Sequence, residues 1–140
     1  MKADFTEELV SFIENWTEDS NQTKSCFLAL KEHLENLDGV KLDFVARPGI
    51  TYSLRAAHEN QTKRSLFAMV DVIDDDPADR WLSVCFYKEL VDDPDELADE
   101  VPGGLLGEDA RCFDVDEADD TVVEYVKARL SAACTSASNE

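Results

Sequence analysis

The hydrophobic period of this chain switches from helical to strand-like at Gly39, and that switch constrains its fold more than any other feature. Before it, apolar residues recur every three or four positions. Phe5, Leu9, Phe12, Ile13 and Trp16 line one side of a helix over residues 5–16, and Cys26, Phe27, Leu30, Leu34 and Leu37 do the same over 21–37. Asp4 is placed to cap the first helix, with Glu7 three residues on as in a capping box. Gly39 suits the left-handed position that ends the second.

After Gly39 the period is two. Val40, Leu42 and Phe44 alternate with Lys41 and Asp43, and Tyr52, Leu54 and Ala56 alternate with Thr51, Ser53 and Arg55. Between them stands Arg47-Pro48-Gly49-Ile50. Proline presets φ and glycine accepts a positive φ, as the two central positions of a type II turn require, so 40–57 reads as a β-hairpin. Polar residues 58–64 lead to strands at 65–73 and 80–87, joined by the turn 74–79. The remainder predicts a short exposed helix at 92–100, a glycine-rich loop at 101–109 and a fifth strand at 111–115. A last helix follows over 118–133, capped by Asp116, with Val122, Val126, Leu130 and Ala133 on one side. The chain therefore predicts an α+β fold: two N-terminal helices, a four- to five-stranded, mainly antiparallel meander, and a C-terminal helix on one sheet face. A single domain over 1–134 fits the 140-residue length, and 135–140 reads as a disordered tail.

Charge excludes several functions. With 32 acidic against 13 basic residues the chain carries −19, so phosphate backbones and anionic membrane surfaces repel it, and neither nucleic acid nor a membrane is an expected partner. An acidic surface of this kind serves solubility, adaptation to high salt, or docking on a basic protein. No apolar run approaches the ~20 residues of a membrane span, and acids stand where a signal peptide has its apolar core. A cytoplasmic location is expected. Cys26, Cys85, Cys112 and Cys134 form no C-x-x-C pair, so they read as reduced, mostly buried small hydrophobes, with Cys134 exposed beside the tail.

Sites for chemistry are few. The acid-rich stretches D-D-D-P-A-D and D-V-D-E-A-D-D lack the sixth-position glycine and twelfth-position glutamate of a calcium loop, so no metal site is assigned. P-G-G-L-L-G-E-D has neither phosphate-binding glycine pattern, and its acids repel phosphate; no cofactor is expected. With His33 and His58 as the whole histidine complement and no G-x-S-x-G, no catalytic triad is assembled. What stands out is a cationic stretch: residues 44–70 hold Arg47, Arg55, Lys63 and Arg64 against the single acid Glu59, whereas 71–124 hold twenty acids against Arg80, Lys88 and Arg111. By strand alternation Arg55 shares a face with Thr51 and Ser53, opposite Tyr52 and Leu54, and points to the open face of the sheet if the Tyr52 face packs on the helices. Arg47, Arg55, Arg64 and His58 are the candidate ligand-binding residues, fit to hold a carboxylate or phosphate.

The run R-P-G-I-T-Y-S-L-R-A … L-F-A-M-V-D-V-I-D-D-D-P-A-D-R-W-L-S-V-C-F-Y, continuing through V-P-G-G-L-L-G-E-D-A-R-C-F-D-V-D, resembles an uncharacterised family of small bacterial α+β proteins over residues 40–130. The resemblance implies a small bacterial cytoplasmic protein and carries no activity with it. The sequence predicts a non-enzymatic binding or protein-interaction module. The alternatives are an enzyme or sensor that takes a small anionic ligand at the four cationic residues, and an acidic nucleic-acid mimic.

Overall fold

A computed structural model describes residues 2–17 and 21–140, with side chains from residue 7 onward. The element order is α1 (Lys2–Asn15), α2 (Thr23–Glu35), β1 (Val40–Arg47), β2 (Thr51–His58), β3 (Ala68–Ile73), β4 (Trp81–Tyr87), a 3₁₀ turn (Lys88–Leu90), β5 (Asp99–Leu105), β6 (Glu108–Val115) and α3 (Asp120–Ser138). The fold is α+β, as the change of period predicts. Helix α1 begins before Asp4, so that residue does not precede it as a cap, and the side chains of Asp4 and Phe5 lie outside the described residues.

All six strands form one antiparallel sheet in the order β1-β2-β3-β4-β6-β5. The expected meander is β1 to β4. The sixth strand is β5, in the stretch that reads as a helix and a loop. Its composition hides it: Pro102 lacks the N–H that a central strand needs, and Gly103 has φ +66 at the irregularity between Val101 and Leu105. Both are tolerated because β5 is an edge strand. Leu106 and Gly107, both at positive φ, make the tight turn into β6.

The opposite edge is β1, whose Phe44 amide donates to the Asp43 carboxylate 2.9 Å away. The β1–β2 turn closes with Ile50 N–H on the Arg47 carbonyl at 2.9 Å, Gly49 taking φ +84. Gly39, at φ +78, ends the α2 connection, and a β-carbon there would sit 2.5 Å from His58 Nε2.

The core lies between the sheet and the three helices. Phe12 of α1 stacks on Tyr52 at 4.0 Å between ring centroids and meets Phe44, while Trp16 packs on Phe27 of α2. Helix α2 buries Phe27, Leu30 and Leu34 at the spacing read from the sequence, and α3 buries Val126, Leu130 and Ala133 as expected but Val123 in place of Val122, which is half-buried. Each such side chain contributes roughly 1.5–3 kcal/mol on burial. Asp119, not Asp116, caps α3, accepting from the amides of Thr121 and Val122. Residues 135–138, expected to be disordered, continue that helix, and Glu140 is anchored beyond it. Cys134 is buried, contrary to its expected exposure.

Candidate functional site

The strand register fixes which side chains share a face. Leu54, Val70, Val84 and Phe113 lie in one cross-strand row toward the helices. The alternate residues point the other way, away from the helix-facing row; of these Ser53, Met69, Ala110 and Cys112 are buried, while Lys41, Asp43, Arg47 and Asp114 are exposed. On that face Asp43, Arg55, Met69, Cys85, Cys112 and Asp99 form one row. Val45, Ser53, Asp71, Ser83 and Asp114 form the next, and Arg47, Thr51, Ile73 and Trp81 a third.

Charge divides this face. On the β1–β2 side stand Lys41, Arg47 and Arg55, and they differ from the other described bases. Lys31, Lys63, Arg64, Arg80, Lys88 and Lys127 each pair with a carboxylate. Lys24, Arg111 and Arg129 hold backbone carbonyls. Among the described residues Lys41, Arg47 and Arg55 have no carboxylate within ion-pair distance; Arg55 Nε donates to Ser53 Oγ at 3.2 Å. On the β6–β5 side stand Asp114 and Asp99. Burial, followed by repulsion from Asp99 and Asp116, pushes the Asp114 carboxyl up from its ordinary range. Beside it Trp81, Asp79, Asp114, Asp116 and Glu117 line an open cavity of about 540 Å³.

Between the two sides lies Asp71 on β3. Its Oδ1 is buried with no hydrogen-bond partner among the described residues. Burial raises its carboxyl, against the hydrogen bond from Ser53 and the attraction of Arg55 and Arg47. Also central is a disulfide between Cys85 and Cys112, directly opposite one another on β4 and β6. These two cysteines are therefore not reduced as expected; antiparallel register brings together residues 27 apart in sequence.

The four predicted ligand residues do not converge. Arg47 and Arg55 share the uncovered face, as strand alternation indicates. His58 belongs to the helix-facing set of β2, where it rests on Gly39 and its Nδ1 accepts from the Asn60 amide at 3.1 Å. Arg64 is 7% exposed and fully engaged. It contacts Glu108 at 3.0 Å, Glu140 at 2.6 Å and Glu89 at 3.3 Å, and lies over the Tyr87 ring. Its role is to tie the β2–β3 loop to β6 and the end of α3. A four-residue anion pocket is thus replaced by a two-arginine strip, joined by Lys41. The same alternation that places Arg55 places Lys41 on its face, so that residue was legible; Asp71 and Trp81 required the register.

Among the described residues no group of three or more His, Cys, Asp or Glu could hold a metal, and no helix is long and apolar enough to cross a membrane. No known family, curated protein or solved structure matches the chain.

Proposed function

We propose that this chain is a protein-interaction module that binds through the uncovered face of its sheet. The observation that carries the reading is the isolation of Lys41, Arg47 and Arg55. In a chain with so large an excess of acid, three bases on one face that form no ion pair, with only Asp43 and the buried Asp71 near them, are an unmet demand for carboxylate. The partner supplies acidic side chains to that strip, basic ones to the Asp99 and Asp114 side, and apolar atoms to Ile73 and Trp81 between them. Catalysis on a small anion is the weaker reading, because Arg64 and His58, the groups it needs beside the arginines, lie elsewhere. A nucleic-acid mimic is weaker too: Asp74 is buried against Arg80 and Asp93 is taken by Tyr125, so the acids do not form one array. The cytoplasm remains the proposed compartment, with the Cys85–Cys112 bridge then subject to cellular thiols.

The test compares proteins retained from a lysate by immobilised wild type, by Arg47→Glu/Arg55→Glu and by Lys127→Glu, a change on α3 away from this face. Loss of a retained partner in the double variant alone, at an unchanged melting temperature, supports the reading. Equal retention by all three, from a lysate to which a tagged second copy of the chain has been added, overturns it.

A further inference from the structure

We infer that the partner for this face is a second copy of the same chain, the two sheets packing face to face about a two-fold axis parallel to the strands. The inference rests on the interaction reading above and adds the identity of the partner. It follows from how the charges are distributed across six strands. The three bases lie on β1 and β2, with the single acid Asp43 among them, and Asp114 and Asp99 lie on β6 and β5, either side of a centre between β3 and β4. A two-fold axis running along the strands through that centre lays β1–β2 of one copy on β6–β5 of the other. An axis across the strands would instead set like charge on like charge.

The rows make the match specific. A rotation about the strand direction keeps each residue at its own height along the sheet. Arg55 lies in the row of Cys112 and Asp99, so it arrives over β6 of the second copy, flanked by Asp99 and Asp114; Asp43, in that row on β1, arrives over Asp99, and Arg55 beside it bridges the two carboxylates. Arg47 lies in the row of Trp81, so it arrives beside the acidic cavity that Trp81, Asp114 and Asp116 line. There the indole face and the carboxylates both attract a guanidinium. The roughly 30° angle between packed twisted sheets shifts these rows by a few ångströms, which flexible arginine side chains absorb. The centre of the contact is less polar: Ile73 and Trp81, both half-buried, meet there above the buried Met69 and Cys112.

The area suffices. Six strands about 4.8 Å apart, each roughly seven residues long at ~3.3 Å per residue, offer about 650 Å² per copy. The pair then buries about 1,300 Å², inside the ~1,200–2,000 Å² of stable interfaces. The remaining negative charge of the two copies repels, so association belongs at an ionic strength of about 0.15 M, where repulsion beyond ~8 Å is screened.

Sedimentation velocity at that ionic strength tests the inference with three proteins: wild type, Arg47→Glu/Arg55→Glu and Asp99→Lys/Asp114→Lys. Wild type is expected to be dimeric at micromolar concentration, and each double variant to associate at least about 100-fold more weakly, since like charges then face one another. An equimolar mixture of the two variants is expected to restore a one-to-one dimer, because both halves of the contact regain opposite charge. Circular dichroism confirms that each variant is folded, and Arg47→Ala/Arg55→Ala, expected to weaken the dimer without introducing repulsion, replaces any that is not. A wild type that stays monomeric at about 200 µM, well above a micromolar Kd, overturns the inference. So do variants that dimerise unchanged, or a mixture that stays monomeric. A monomeric wild type whose arginine variant still loses a retained partner would refute the second copy while leaving the interaction reading in place.

Discussion

Replacing Arg80 by methionine is expected to be the most damaging single change outside the apolar core. The Arg80 guanidinium donates to Asp74 Oδ1 at 2.7 Å, and the two side chains are only 11% and 4% exposed. Its charge lies 5.2 Å from the Phe12 ring and 5.5 Å from the rings of Trp16 and Tyr52, so it joins α1 to the β1–β2 hairpin. Asp74 Oδ2 in turn accepts from the Gly49 amide and holds the turn. Methionine keeps much of the volume but leaves a buried carboxylate without its cation, a loss of about 3–5 kcal/mol. The cation–π contacts sit in the same range rather than adding in full, since each is worth ~0.5–1 kcal/mol where exposed. At about 3–4 °C per kcal/mol for a domain of this size, the melting temperature falls by roughly 10–20 °C. Urea unfolding of wild type, Arg80→Met, Asp74→Asn and the double variant measures the effect as a cycle. The double variant is expected to be more stable than Arg80→Met by about 1–3 kcal/mol, because removing the second charge ends the burial of an unpaired ion. A loss below about 1 kcal/mol in Arg80→Met, or strict additivity in the cycle, refutes this account of the pair.

Two further outcomes follow from the uncovered face. Asp71 has its carboxyl raised by burial, so the favourable contribution of its neutral form is complete below the ordinary carboxylate range and is lost as pH rises through the elevated value. Asp71→Asn keeps an acceptor for Ser53 without that loss. It should match wild type near pH 4 and exceed it in melting temperature at pH 7, and a lower melting temperature at pH 7 would contradict the assignment. For the cysteines, protein purified in air and unfolded without reductant should expose two titratable thiols, from Cys26 and Cys134, rather than four.

How far the sequence disclosed all this depended on how local each determinant was. The helices α2 and α3 and the Pro48-Gly49 hairpin were legible because spacing and turn chemistry decide them within a dozen residues. Strand β5 was not, because Asp99, Glu100, Pro102, Gly103 and Gly104 are poor strand formers that only an edge position tolerates. The end of α3 was misread for a related reason. Thr135, Ser136 and Ser138 have weak helix propensity, yet Ala137 is buried, Ser136 donates to the Leu90 carbonyl, and Glu140 is fixed by Arg64. Of the candidate site, strand alternation placed Arg47 and Arg55 correctly. It could not show that Arg64, a loop residue, would be claimed by three glutamates from distant parts of the chain, nor that Cys85 and Cys112 would meet.

The bond from the Phe44 amide to the Asp43 carboxylate has a consequence for assembly on a larger scale. A free edge of eight residues is a template on which another molecule's strand could add, and then another, without limit. Here one of the outward donors of β1 is already occupied by its neighbour's side chain, and at the far edge Pro102 and the irregularity after Val101 blunt β5. Growth in the plane of the sheet is the direction that leads to filaments. With both rims obstructed, association is turned perpendicular to the sheet, where a two-fold arrangement uses up both faces and stops at two.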